Sequence, residues 1–175
     1  MENTKNSTLD TIHNRKSVRS YTEQQISDEE LLTLVKAGMA APSGKNVQPW
    51  ELLIVKDRAK LDYLAGVLPY AKMLKGASAA IVVCGNDDIE NGGSSYWQVD
   101  CSAVTQNILL AAESMGIGAV WTATYPYAER MEPVAEVFGL PSNIKSLCVI
   151  PLGYPAKEGT AKNKYKEEKV HFDKW

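Results

Sequence analysis

Histidine and phenylalanine are scarce in this chain, with two of each in 175 residues. His13 and His171 lie near the two ends, and neither neighbours a plausible nucleophile in sequence. That argues against Ser/His/Asp or Cys/His machinery and against a metal centre. Cysteine is sparse too. Cys84, Cys101 and Cys148 are odd in number, far apart and set in apolar surroundings, which suits reduced structural thiols better than disulfides or a zinc site. No apolar run approaches the length of a membrane span and residues 1–7 are polar, so a soluble, cytoplasmic protein without membrane contact is expected. Excess positive charge is also missing. A net charge of −2 and a pI near 5.7 remove long-range attraction for nucleic acid. Any anion site must be a local concentration of Lys and Arg, and two exist, at residues 15–19 and 157–169. Repeats and low-complexity tracts are absent.

With 45% apolar residues the chain can bury one sizeable core, and a single domain over residues 1–175 is expected. Ser7 reads as the cap of a short helix carrying Leu9 and Ile12, with the first basic cluster at or just past its end. Ser27 and Glu30 form a capping box, followed by a helical stripe of Leu31, Leu32, Leu34, Val35 and Met39, assigned to core packing, that Pro42 stops. Strands are expected at 51–55, 79–84, 118–122 and 146–152, with an amphipathic segment at 57–66 and a helix at 130–138 capped by Gly139. The apolar run 79–84 suits a strand covered on both faces. The segment 85–95 reads as an exposed loop whose acidic residues do not complete a calcium site. Between Tyr96 and Met115 lies the longest helix, apolar over much of its circumference and so buried centrally or against a partner subunit. Gly116-x-Gly118 follows a helix, lacks a third glycine in register and opens no helix, so it is no dinucleotide fingerprint. The lysine-rich tail ends in His171-Phe172-Asp173-Lys174-Trp175, and its aromatics suggest docking.

The most informative stretch is Ala41-Pro42-Ser43-Gly44-Lys45-Asn46-Val47-Gln48-Pro49-Trp50. Two prolines exclude helix, Gly44 allows a close backbone approach, and Ser43, Asn46 and Gln48 supply hydrogen-bonding groups. A helix-to-strand connection needs far fewer special residues. Upstream stands Arg15-Lys16-Ser17-Val18-Arg19. In isolation that cluster also suits a helix C-terminus, and the loop also reads as turn chemistry before a core tryptophan.

Together the two stretches resemble the flavin-binding nitroreductase family. Its signature is an Arg-basic-Ser-x-basic cluster and, about one helix later, a Pro-Ser-small-x-Asn-x-Gln-Pro-Trp loop. The resemblance covers nearly the whole chain. It implies an α+β fold, a three-layer α/β/α sandwich with a mixed, mostly antiparallel central sheet, in a homodimer. It also implies flavin mononucleotide (FMN) as cofactor, NADH or NADPH as reductant, and a nitroaromatic, quinone or similar small molecule as electron acceptor.

Residue by residue, the resemblance implies that Arg15, Lys16 and Ser17 contact phosphate or ribityl oxygens and that Arg19 lies near N1 and C2=O of the ring. Lys162-Asn163-Lys164 matches a family Lys-x-Arg pair that clamps the same phosphate; the second member here is Lys164, which cannot make a bidentate fork. Pro42, Ser43 and Gly44 would reach the partner's flavin, with Asn46 and Gln48 bracing the loop. Lys72 resembles a contact at the pyrimidine edge, Trp121 and Thr122 occupy the place where backbone stacks on the ring, and Gly153 joins the cofactor-binding candidates. Chemistry sits on the flavin, so no side chain is expected as acid, base or nucleophile. The Pro-x-Glu-Gly sequence of longer members is missing, which points to the compact branch. The alternatives are a flavin-binding carrier or sensor without turnover, and a plain structural α/β domain. Relatives that remove halogen from aromatic rings or cleave flavin carry extra lid segments, which a chain this short argues against.

Overall fold

A computed structural model describes residues 7–175. Residues 1–6, which include most of the polar start of the chain, lie outside the described residues. The helices are α1 (Ser7–Asn14), α2 (Asp28–Met39), α3 (Arg58–Val67), α4 (Trp97–Ser114) and α5 (Ala128–Phe138). The strands are β1 (Trp50–Val55), β2 (Ala79–Asn86), β3 (Gly118–Ala119), β4 (Thr122–Ala123) and β5 (Ile144–Gly153). The capping box expected of Ser27 and Glu30 starts α2, and Asp57 caps α3 through the amides of Ala59 and Lys60. Among the described residues α1 begins at Ser7, and the cap expected there adjoins residues that lie outside them.

The sheet runs β1-β2-β5-β3, with β4 also pairing to β5, and these pairings are all antiparallel. β2 alternates across it. Ile81 and Val83 join Leu31, Leu34, Val104 and Ile108 of α2 and α4 on one face, while Val82 and Cys84 join Leu61, Leu64 and Val134 of α3 and α5 on the other. Helices on both faces give the three-layer α/β/α arrangement, and they explain why a strand with antiparallel neighbours reads as a continuous apolar run. α2 and α4 cross closely at Gly38, where an added Cβ would lie 2.8 Å from Ile108 Cγ1.

Three expectations need correction. Leu32 and Met39, expected in the core stripe of α2, are exposed, because the buried face of that helix is Leu31, Leu34 and Gly38. The strand expected at 118–122 is split, because only Gly118, Ala119, Thr122 and Ala123 keep register with β5 and Val120-Trp121 step out between them. The 85–95 segment is not uniformly exposed. β2 continues to Asn86, and Gly93 and Ser94 are buried, Gly93 N–H bonding Asp88 O at 2.7 Å. Among the described residues no helix is long and apolar enough to cross a membrane.

Candidate flavin site

Past Asn14 the chain leaves α1 and lies across the end of the sheet. Val18 N–H donates to Ala119 O (2.9 Å), Thr22 N–H to Tyr154 O (2.8 Å), and Ala156 N–H to Ser20 O (3.0 Å). The groove that receives this segment is cut by two glycines paired across β3 and β5. A Cβ on Gly118 would sit 2.7 Å from Val18 Cγ1, and one on Gly153 would sit 2.6 Å from Tyr21 Cγ. Gly153 therefore makes room for Tyr21. The Tyr21 hydroxyl donates to Val18 O at 2.8 Å, and burial raises its pKa well above the ordinary value, opposed in part by Arg19. Val18 is turned to the protein and its neighbours Ser17 and Arg19 are exposed, as alternation along an extended segment requires; the alternation breaks at the exposed Ser20, and Tyr21 turns back inward.

The tail returns to this segment. Arg15, Lys16, Ser17 and Arg19 line one side of a concavity of about 280 Å³, and Thr160, Lys162 and Lys164 line the other. Two cationic clusters far apart in sequence thus form one anion-sized site with two hydroxyls among the charges. One cation is partly spoken for. Lys16 Nζ pairs with Glu113 Oε1 of α4 at 2.9 Å, both side chains being largely buried. Thr160 and Glu113 are absent from the sequence-based set. Nothing in the spacing of either signals the role; only the return of the tail and the packing of α4 bring them in.

The second part is the loop at 42–48. Ser43 Oγ accepts from Gln48 N–H (2.9 Å), Asn46 N–H donates to Ser43 O (3.0 Å), and Gln48 Nε2 donates to Asn46 Oδ1 (3.1 Å). Lys45, Asn46 and Gln48 all have positive φ, between 51° and 56°, a conformation costly for residues with a Cβ. The Gly44 N–H leaves the loop and donates to Asp100 Oδ1 at 3.0 Å, while a Cβ on Gly44 would lie 3.3 Å from Tyr96 Cδ2. Asp100, in the first turn of α4, was not legible as part of the site.

The remaining candidates scatter. Trp121 packs partly buried against the α2/α4 face, and Thr122 is buried in β4 on the outer edge of the sheet beside β5. Lys72 opens a short turn, Lys72–Gly76, and is exposed; it is not among the residues lining the basic concavity. The three thiols are free and buried. Burial pushes Cys84 and Cys148 up to about 12 and raises Cys101 as well, so each stays protonated and unreactive near neutrality.

Known proteins resemble this chain in both sequence and fold. The model of the nitroreductase family matches residues 12–69 and 65–154. A protein of Archaeoglobus fulgidus with the provisional name NADH dehydrogenase/NAD(P)H nitroreductase is 42% identical over 170 residues, covering 95% of this chain and 98% of its own. A crystal structure from Bacteroides thetaiotaomicron under the same provisional name superposes with a TM-score of 0.94 at 55% identity, covering 98% of this chain and 100% of its own. A provisionally named nitroreductase of Desulfovibrio desulfuricans, solved in complex with FMN, has a TM-score of 0.82 at 29% identity over 98% of this chain and 99% of its own. A basic concavity closed by the tail, and a strained loop bonded to the start of α4, thus occur in a chain whose sequence and fold match these relatives from end to end: the chain belongs to the nitroreductase family.

Proposed function

We propose that this chain is a single-domain, FMN-dependent oxidoreductase of the cytoplasm that uses NADH or NADPH to reduce a nitroaromatic, quinone or similar small acceptor. The observation that carries the reading is the meeting of residues 15–19 with residues 160–164 around one concavity. Its donor set suits a phosphate monoester close to dianionic at neutral pH: guanidinium and ammonium groups for charge, and Ser17 and Thr160 for neutral hydrogen bonds. The provisional names of the relatives, and the FMN bound to one of them, support cofactor and reductant alike.

When bound, FMN supplies a centre that accepts hydride from nicotinamide at N5 and passes electrons to a second acceptor, in a two-step exchange. The chain's own residues bind and orient. Arg15, Lys162 and Lys164 hold the phosphate, Ser17 and Thr160 complete its hydrogen bonds, and Arg19 supplies permanent positive charge on the same wall. The outer edge of β4 offers backbone amides with no strand beyond them among the described residues. Two such chains form a homodimer in which residues 42–44 of one reach the flavin of the other. Apolar groups left exposed here support that assembly: Val99 on α4 at 66%, and Phe172 and Trp175 in the tail at 83% and 100%.

Anaerobic titration of the FMN-loaded protein with NADH and then NADPH tests the reading. Bleaching of the flavin absorbance, reversed by a nitroaromatic or quinone, is the expected result. Bound flavin that neither nucleotide bleaches would overturn catalysis in favour of a carrier or sensor.

A further inference from the structure

We propose that Asp100 is a positioning residue whose buried carboxylate holds residues 43–48 in the one shape that meets the flavin of the partner subunit; this rests on the shared-site reading above. Asp100 is only 5% exposed, and it takes part in none of the ion pairs found among the described residues. A carboxylate buried without a cation is expensive, so it persists only where its oxygens are well used. Here both are. Oδ1 accepts the Gly44 N–H at 3.0 Å, and Oδ2 accepts the Ser94 hydroxyl at 3.4 Å. Ser94, itself 5% exposed, accepts in turn from Tyr96 N–H at 3.0 Å, and the start of α4 adds the favourable end of its dipole.

This chain of bonds ends on an amide that the loop's own bonds do not use. Asn46, Val47 and Gln48 donate within the loop, to Ser43 O, Gly44 O and Ser43 Oγ, whereas the Gly44 N–H turns outward to Asp100. Three residues of the loop carry positive φ without being glycine, so its shape is not one the free segment would favour. It must be held from outside, and the Asp100 carboxylate is the charged anchor. The ring of Tyr96 lying against Gly44 closes the other side. Packing alone would be served by a leucine at position 100. An acceptor is what aspartate adds.

The test uses FMN-loaded protein, with Asp100→Ala compared to Asp100→Asn, whose amide oxygen keeps the Gly44 bond while its NH2 faces Ser94. Asp100→Ala is expected to lower kcat/KM for the acceptor by about ten- to hundredfold, the worth of a hydrogen bond to a charged group. Asp100→Asn is expected to retain at least about a third of it. The discriminating readout is complementation: Asp100→Ala mixed with Arg15→Ala under subunit exchange should regain activity, since one site then combines an intact cluster with an intact loop. A fold defect would not be rescued so. Wild-type activity in Asp100→Ala, or no recovery where Ser43→Trp mixed with Arg15→Ala does recover, would overturn the role of Asp100. Failure of that second mixture as well would overturn the shared site beneath it and this proposal with it. Should Asp100→Ala not fold, Asp100→Ser, too short to reach the Gly44 amide, takes its place with the same outcomes.

Discussion

The two cationic segments that meet at the concavity carry similar chemistry and are held in opposite ways. Residues 15–19 belong to a stretch bonded to Ala119, Tyr154 and Ala156, with Val18 and Tyr21 seated against Gly118 and Gly153. Residues 162–164 are exposed, their neighbourhood marked by the Tyr165 N–H bond to Asn163 Oδ1 and by Gly159 lying against Lys16. The first segment fixes where an anion sits and has its ordering cost met by folding. The second adds charge from exposed side chains, whose freezing on an anion subtracts from its contribution. Equal charge is therefore not equal affinity.

The hardest blow to this comparison is Gly153→Val. Its side chain would collide with the Tyr21 ring, and overpacking of this kind costs about 1–3 kcal/mol. A lower thermal midpoint together with lost FMN binding is expected; a variant that keeps both would show that the segment needs no such seat. Next comes Arg15→Ala, expected to weaken FMN by about ten- to hundredfold while leaving riboflavin unchanged in a fluorescence titration. Lys164→Ala should cost less, about two- to fivefold, as befits an exposed and screened charge. Equal losses at Arg15 and Lys164 would erase the distinction. The smallest effect concerns the support of the anchored strand. Hydrogen bonds from the Tyr154 hydroxyl and from Ser27 hold the Glu30 carboxyl below its ordinary 4.5, and Tyr154 O receives the Thr22 amide. A depressed carboxyl stabilises the fold above the ordinary value and loses that contribution as pH falls through its lower folded value. Glu30→Gln should then flatten the acid limb of the thermal midpoint below pH 4.5, measured by calorimetry.

Much of the layering was legible because it is local. The Ser27/Glu30 box, the Asp57 start of α3 and the apolar run of β2 each announce an element through near neighbours in sequence. The two basic clusters were legible through the family resemblance, and folding brings them to one place. What escaped depends on distant packing. Asp100 looks like any acid in the first turn of a helix until Gly44 arrives beside it from 56 residues away. Glu113 looks like a solvent-facing glutamate until Lys16 reaches it. Gly153 was nominated as a cofactor contact, yet its lack of a side chain is used by Tyr21. The split between β3 and β4 escaped because Val120-Trp121 is as apolar as the strand residues around it.

The most direct test of the central claim, that residues 15–19 and 160–164 together hold the phosphate of FMN, is a comparison of FMN and riboflavin binding to the wild-type chain at low and high salt. The account predicts FMN tighter by about a hundredfold or more at low salt, an advantage that shrinks as salt rises. Equal affinities for the two flavins would contradict it.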